Sequence, residues 1–216
     1  MTIDEVRRTL TRHHVMEAAV ALADAHGIGA VSMRRLGQEL GVEAMSLYTH
    51  VRSKEDLLDG MVECVMEAFP RPAESDDWQS TLRGTILGSR EVLVRHPWAP
   101  AVIETRTEPG PLMLAHYDAV MGILRRGGFS LELAHHALHL LGSRLLGFTQ
   151  DLFDDSPDLP PEATTALAAR LRPTLPYVAE MALRATHEGG LGGCDTDVEF
   201  SFSLDVILDG LERLRR

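Results

Sequence analysis

Lys54 is the only lysine in this 216-residue chain, against twenty arginines. An ammonium used once, directly after a serine at what reads as a helix start, marks a position rather than a general need for positive charge. Cysteine is almost as scarce. Cys64 and Cys194 are too few and too far apart for a disulfide framework or a cysteine-based metal motif, which fits a reducing compartment. No apolar run approaches the ~18 residues of a membrane span. The N-terminal Met1–Arg8 stretch lacks the apolar core of a secretion signal, so no membrane partner is expected and the cytoplasm is the expected location. There is no Gly-rich phosphate loop, no Gly-x-Ser-x-Gly elbow and no Cys–His pair in a recognisable setting. Nothing points to an enzyme, and no cofactor is expected.

What is present is helical. The net charge of −11 argues at first against a polyanionic partner, but the charge is unevenly placed. Residues 1–60 hold seven Arg or Lys against nine Asp or Glu, and the remainder holds fourteen against twenty-three. A near-neutral N-terminal part binds a polyanion if its cations share one face.

The stretch from Ser32 to Leu58 has the densest pattern. Ser32 is a good N-cap, Leu36 and Leu40 lie one turn apart, and Gly41 suits the positive φ that ends a helix. Val42 plugs the turn. Glu43 to Tyr48 then give barely two turns with Leu47 facing inward. Ser53 caps the next helix, with Asp56 three residues on as a box-like partner. Two short helices about a tight glycine turn predict a helix-turn-helix.

The run Leu47-Tyr48-x-His50-Val51-x-x-Lys54-x-x-Leu57-Leu58, following Leu40-Gly41-Val42, resembles the N-terminal domain of the TetR family of bacterial transcriptional repressors. The resemblance implies residue roles. Arg34 matches an arginine that reaches a guanine edge, for which its two-pronged guanidinium is suited. Tyr48 and Lys54 match phosphate contacts, His50 a further backbone contact, and Ser32 lies at a helix N-terminus that favours anions. Ala44, Met45, Ser46 and Thr49 are the remaining exposed positions of the short reading helix. They lack the long amide and the tryptophan that the tetracycline-repressor branch carries there, so the implied docking is shared and the DNA sequence read is not.

Elsewhere the periodicity predicts a first helix over 11–26, preceded by an arm in which Arg7, Arg8 and Arg12 are available to phosphates. A fourth helix spans about 53–69 and connects the two expected domains, 1–53 and 54–216. A fifth runs from Trp78 to His96. Residues 97–111 read as a Pro-broken segment, followed by helices over 112–126, 131–153, 162–187 (interrupted at Pro173 and Pro176) and 197–215. The expected class is all-α. The helices over 131–153 and 197–215 are apolar on more than one side, so each must be covered twice.

The C-terminal half resembles the tetracycline-repressor branch through Trp78-Gln79 with Leu82-Arg83, Gly128-Phe129-Ser130-Leu131-Glu132, and Phe200-x-Phe202-x-Leu204 through Gly210-Leu211-Glu212. That implies a homodimer built on those two helices, with Leu138, Leu141, Leu145, Phe148, Leu204, Leu208 and Leu211 expected at the interface. It also implies a small-molecule effector. A pocket around the Pro-broken segment is expected to be lined by Met61, Val65, Ile86, Ile103 and Met113, with Arg90 or His116 as polar anchors. The two histidines by which that branch holds a magnesium-chelated drug are replaced here by Ile103 and Ser143, while a nearby acid is kept as Asp151.

His135, His136 and His139 cluster on one helix, but no third ligand is fixed for the His135–His139 pair, and no metal is expected. The rival reading is a helical ligand-binding or metal-handling protein without DNA binding, its N-terminal hairpin purely structural.

Overall fold

The computed structural model describes residues 10–72, 75, 77–147, 161–184 and 196–215. Regular structure among them is helical throughout, in agreement with the all-α expectation. The chain divides into two compact units, one running to Leu146 and one from Gly147 to Leu214.

In the first unit, α1 (Arg12–His26), α2 (Met33–Leu40) and α3 (Ala44–Leu47) enclose a small core of Val15, Ala19, Leu22, Leu36, Leu47 and Val51. Thr11, Ser32 and Ser53 cap the N-termini of α1, α2 and α4 (Lys54–Glu67) through their hydroxyls. The box expected at Ser53 is displaced by one residue. Ser53 Oγ accepts from the Asp56 N–H, but the Asp56 carboxylate accepts from the N–H of Arg52 rather than that of Ser53.

The inner face of α4 buries Leu57, Met61, Val62, Val65 and Met66. It is followed by α5 (Trp78–Arg95), α6 (Ala99–Glu104), α7 (Pro111–Arg126) and α8 (Leu131–Gly147). Trp78 and Phe129 meet edge to face with ring centroids 4.7 Å apart. Each large apolar side chain fully buried there contributes about 1.5–3 kcal/mol.

The segment expected to be broken by proline contains a helix. Pro100 lies in the first turn of α6, where a missing N–H costs nothing and the fixed φ is already helical. Pro111 begins α7 in the same way.

In the second unit, the interrupted helix resolves into α9 (Pro161–Leu171) and α10 (Pro176–Arg184). The Leu175 N–H donates to Leu171 O at 2.7 Å across the turn, and Ala168 and Ala179 are buried with Leu171 packed on them. The last helix, α11 (Thr196–Arg215), buries Phe200, Leu204, Leu208 and Leu211.

Of the residues expected at a dimer interface, Leu141, Leu145, Leu204, Leu208 and Leu211 are buried within the single chain, and Leu138 is half-buried against a cavity. Phe148 lies outside the described residues, as does the expected end of that helix. The apolar side chains left exposed are different ones: Leu131 and Leu140 on α8, and Val198, Phe202, Val206 and Leu214 on α11. Val198, Phe202 and Val206 recur at four-residue spacing and form one stripe along α11.

Candidate nucleic-acid interface and effector site

The turn between α2 and α3 is a complete Schellman motif. Gly41 is left-handed (φ 66°, ψ 31°), its N–H donates to Gln38 O, and the Val42 N–H donates to Gly37 O. Gly37 matters as much as Gly41, although nothing in the sequence pattern marks it. A Cβ there would lie 2.8 Å from Val42 O and 3.2 Å from the Ala44 Cα, so α2 crosses the start of α3 with no room for a side chain.

The reading helix is a single turn, shorter than expected. Ser46 Oγ donates to Glu43 O and Thr49 Oγ1 to Ser46 O, both at 2.7 Å, which tightens its two ends. On its outer side Met45 is 74% exposed, Tyr48 48% exposed and Thr49 exposed, while Ala44, Ser46 and His50 are half-buried. Ser32, Arg34, Ser53 and Lys54 are exposed at the N-termini of α2 and α4.

Arg12 does not belong to a free arm. Its guanidinium donates to both carboxylate oxygens of Asp56 at 2.7 and 2.9 Å and to His50 O at 2.8 Å. This ties α1 to the start of α4 and to the end of the reading helix, and it holds the Asp56 carboxyl below the usual carboxylate range. Arg7 and Arg8 lie outside the described residues.

Two further ties bracket α6. Before it, the Trp98 indole N–H donates to Asp24 Oδ1 at 2.7 Å, and His96 Nδ1 lies 2.9 Å from the same oxygen. After it, Arg106 Nη1 donates to Glu55 at 2.8 Å and to Asp59 at 3.1 Å. Asp24 is in α1, and Glu55 and Asp59 are in α4, so each end of α6 is joined to the helices that carry the reading head. Glu63 of α4 adds a third link by accepting from the Leu112 N–H in the first turn of α7. None of these partners had a periodic signal, because all lie outside the apolar stripes.

Four of the expected ligand residues share one wall. Ile86, Ile103, Met113 and His116 line a cavity of about 40 Å³ among α5–α8, together with Phe69, Tyr117, Leu138 and Leu141. The His116 ring meets Phe69 edge-on at 5.1 Å, and burial holds the imidazole below its ordinary pKa, hence neutral. Met61 and Val65 are packed in the core on the inner face of α4 and line neither this cavity nor the larger one described next. Arg90 is half-buried and also lines neither. Ser143 is exposed, and Asp151 is outside the described residues.

The larger cavity, of about 800 Å³, opens between α1, α4 and the α6–α7 connection. Ile103, Met113 and Tyr117 line both cavities and so stand between them. Cys64 lines the larger one. Its thiol is pushed up to about 11 by burial and neighbouring carboxylates, which favours the protonated form.

A one-turn reading helix held on a glycine turn, flanked by two capped helix N-termini that expose serines, an arginine and the lone lysine, defines a helix-turn-helix DNA-binding protein. Residues 15–61 match the model for bacterial regulatory proteins of the tetR family, and residues 69–215 match the tetracyclin repressor-like C-terminal domain. The HTH-type transcriptional repressor DrrR1 of Streptomyces coeruleorubidus is 32% identical over 95% of this chain and 78% of its own length. The class C tetracycline repressor of Escherichia coli is 28% identical over 95% and 92%. Among solved structures, Streptomyces coelicolor ActR in complex with actinorhodin superposes with a TM-score of 0.77 at 25% identity, covering 95% of this chain and 98% of that one. The chain belongs to the TetR family, and its function is that of a DNA-binding transcriptional repressor. Among the described residues, no helix is long and apolar enough to cross a membrane.

Proposed function

We propose that the protein is a cytoplasmic homodimer that represses from a near-palindromic operator and leaves it when a small apolar molecule binds beside α6. The observation that carries this reading is the pair of ties at the two ends of α6, to Asp24 of α1 and to Glu55 and Asp59 of α4. Ligand pockets of about 300–1,000 Å³ are usual for drug-sized molecules. The cavity of about 800 Å³ lies in that range, whereas the one of about 40 Å³ on the other side of Ile103 and Met113 is far smaller, so a molecule that reaches past Ile103 towards His116 displaces α6 or α7. Displacement of α6 pulls on both ties and moves α1 and α4, which changes the spacing of two reading heads in a dimer. Binding energy is thereby linked to loss of operator fit. ActR, crystallised with actinorhodin and with (S)-DNPA, supports an effector-bound state for this fold.

In this reading Arg34 reads a guanine edge, with Ala44, Met45, Ser46 and Thr49 against neighbouring bases. Ser32, Tyr48, His50 and Lys54 take phosphates. Arg34→Ala is expected to relax preference at one base pair per half-site, at about 1–3 kcal/mol. Lys54→Ala is expected to weaken all DNA alike and to lower the salt slope by roughly one unit per half-site. Titrations of the DNA upstream of its own gene against unrelated DNA, at several salt concentrations, separate the two. Equal effects of both changes on both DNAs would remove the assignment.

The effector is uncharged or weakly charged. The cavity wall is apolar around a neutral His116, and Ile103 offers a magnesium chelate no donor. Magnesium–tetracycline is expected neither to bind with sub-micromolar affinity by calorimetry nor to release operator DNA. Tight binding in that titration would overturn this assignment of effector class.

A further inference from the structure

We propose that the cavity of about 800 Å³ receives an organic cation, a single positive charge on an apolar body. This rests on the effector reading above and gives the effector's weak charge its sign. The wall supplied by α4 carries Asp59, Glu63 and Glu67 at four-residue spacing, hence one stripe about 12 Å long. Like charges one turn apart repel, so the stripe by itself disfavours the helix. Glu108 adds a fourth carboxylate from the α6–α7 connection. The two arginines of the lining do not balance them. Arg12 is committed to Asp56, and Arg106 to Glu55 and Asp59. His13 faces Glu17 at 3.4 Å. Among the described residues, no Arg or Lys pairs with Glu63, Glu67 or Glu108.

Glu63 is the anchor. Its Oε2 accepts from the Leu112 N–H at 3.2 Å, which fixes the carboxylate at the start of α7. Its Oε1 is buried and has no hydrogen-bond partner. That oxygen lies against Gly110, where a Cβ would collide with it. A buried carboxylate oxygen without a donor is costly, and a ligand ammonium supplies the donor while relieving the repulsion along the stripe. The Cys64 thiol on the same wall registers this field: burial, then Glu67, Glu17 and Glu63, push it up to about 11. Among the described residues no three His, Cys, Asp or Glu are grouped to hold a metal ion, so the carboxylates suit a larger, more diffuse cation. The rest of the wall is largely apolar. Met16, Val62, Ile103, Met113 and Tyr117 line it, and the ligand's body lies against them. A positive charge near Asp59 also competes with Arg106 for that carboxylate, which loosens the tie between α6 and α4. None of the lining residues belongs to α8 or α11, the helices that carry the exposed apolar side chains.

The test is fluorescence titration of the full-length protein, without DNA, with three probes that share a pyrene body. One carries a methylammonium group, one a hydroxymethyl group and one a carboxylate. The ammonium probe is expected to bind about tenfold or more tightly than the hydroxymethyl probe, and the carboxylate probe most weakly. Added salt should weaken the first and leave the second unchanged. Glu63→Gln keeps an acceptor for the Leu112 N–H and removes the charge. It is expected to lower ammonium affinity about tenfold, with hydroxymethyl binding and the melting curve unchanged. Glu67→Gln, exposed on the same stripe, should give a smaller loss of the same kind without touching that hydrogen bond. Glu91→Gln, exposed on α5 away from the cavity, should change neither. The inference is overturned if the ammonium probe binds no better than the hydroxymethyl probe, if no probe binds, or if both stripe variants keep the full preference. Operator release is read separately by mobility shift, with Glu63→Gln protein on the same DNA as the control for probe binding to DNA. An ammonium probe that binds as expected without weakening operator binding would uphold the cation site and remove the effector reading on which release depends.

Discussion

Phe202→Glu is expected to give a folded monomer whose affinity for the operator is roughly a hundredfold or more below that of the wild type. Phe202 is 65% exposed and Val206 56% exposed, and with Val198 they form a stripe of large apolar side chains that faces solvent in the isolated chain. In a homodimer that stripe is the natural contact, and a carboxylate at its centre would be buried without a partner. The DNA effect follows from geometry. Two linked heads bind two half-sites with the second encounter intramolecular, and that advantage is commonly 10²–10⁴-fold. Sedimentation reads the assembly, a mobility shift reads the affinity, and circular dichroism reads the fold. Leu208→Glu is the informative contrast. Leu208 is buried within the chain, so a charge there should unfold the protein instead of cleanly dissociating it. A Phe202→Glu protein that sediments as a normal dimer would move the interface to another surface.

Gly37→Ala is expected to damage the reading head more than Gly41→Ala, although Gly41 holds the unusual backbone angle. At Gly41 a Cβ would meet nothing within 4 Å, so alanine there costs only the left-handed strain, about 1–2 kcal/mol. At Gly37 the new Cβ would stand 2.8 Å from Val42 O, and the atoms in its way are backbone, which cannot swing aside as a side-chain tip can. Overpacking of this kind costs about 1–3 kcal/mol and is relieved by moving α3 away from α2. The reading helix is then misplaced as well as destabilised. Operator affinity should fall roughly ten- to a hundredfold, with tenfold for each 1.4 kcal/mol. Gly41→Ala should lower the melting temperature while keeping base preference. Wild-type operator binding by Gly37→Ala would show that α3 tolerates the shift.

The reading head was legible in the sequence because its determinants are local. A capping serine, apolar residues one turn apart and a glycine where a helix must end each act within a few residues, and their spacing survives in one dimension. Ser32, Gly41, Leu47 and Ser53 occupy the places their chemistry predicts. Proline was ambiguous, since the same residue that breaks a helix interior starts a helix at its first turn. Pro100 therefore hid α6, the helix on which the proposed effector response depends.

Other features were settled only by tertiary structure, because they join residues far apart in the chain. The pairing of Arg12 with Asp56 turned an expected phosphate ligand into an internal brace. The ties from Trp98 to Asp24 and from Arg106 to Glu55 and Asp59 have no sequence signature, since a charged or polar residue in a loop looks the same whether solvated or paired. Periodicity showed that α11 is apolar on more than one side, but it carries no information about which side the chain covers itself. Folding covered Leu204, Leu208 and Leu211 and left Val198, Phe202 and Val206 outside. The same burial of apolar area drives both contacts, and only the three-dimensional packing of one chain decides which surface remains for a second.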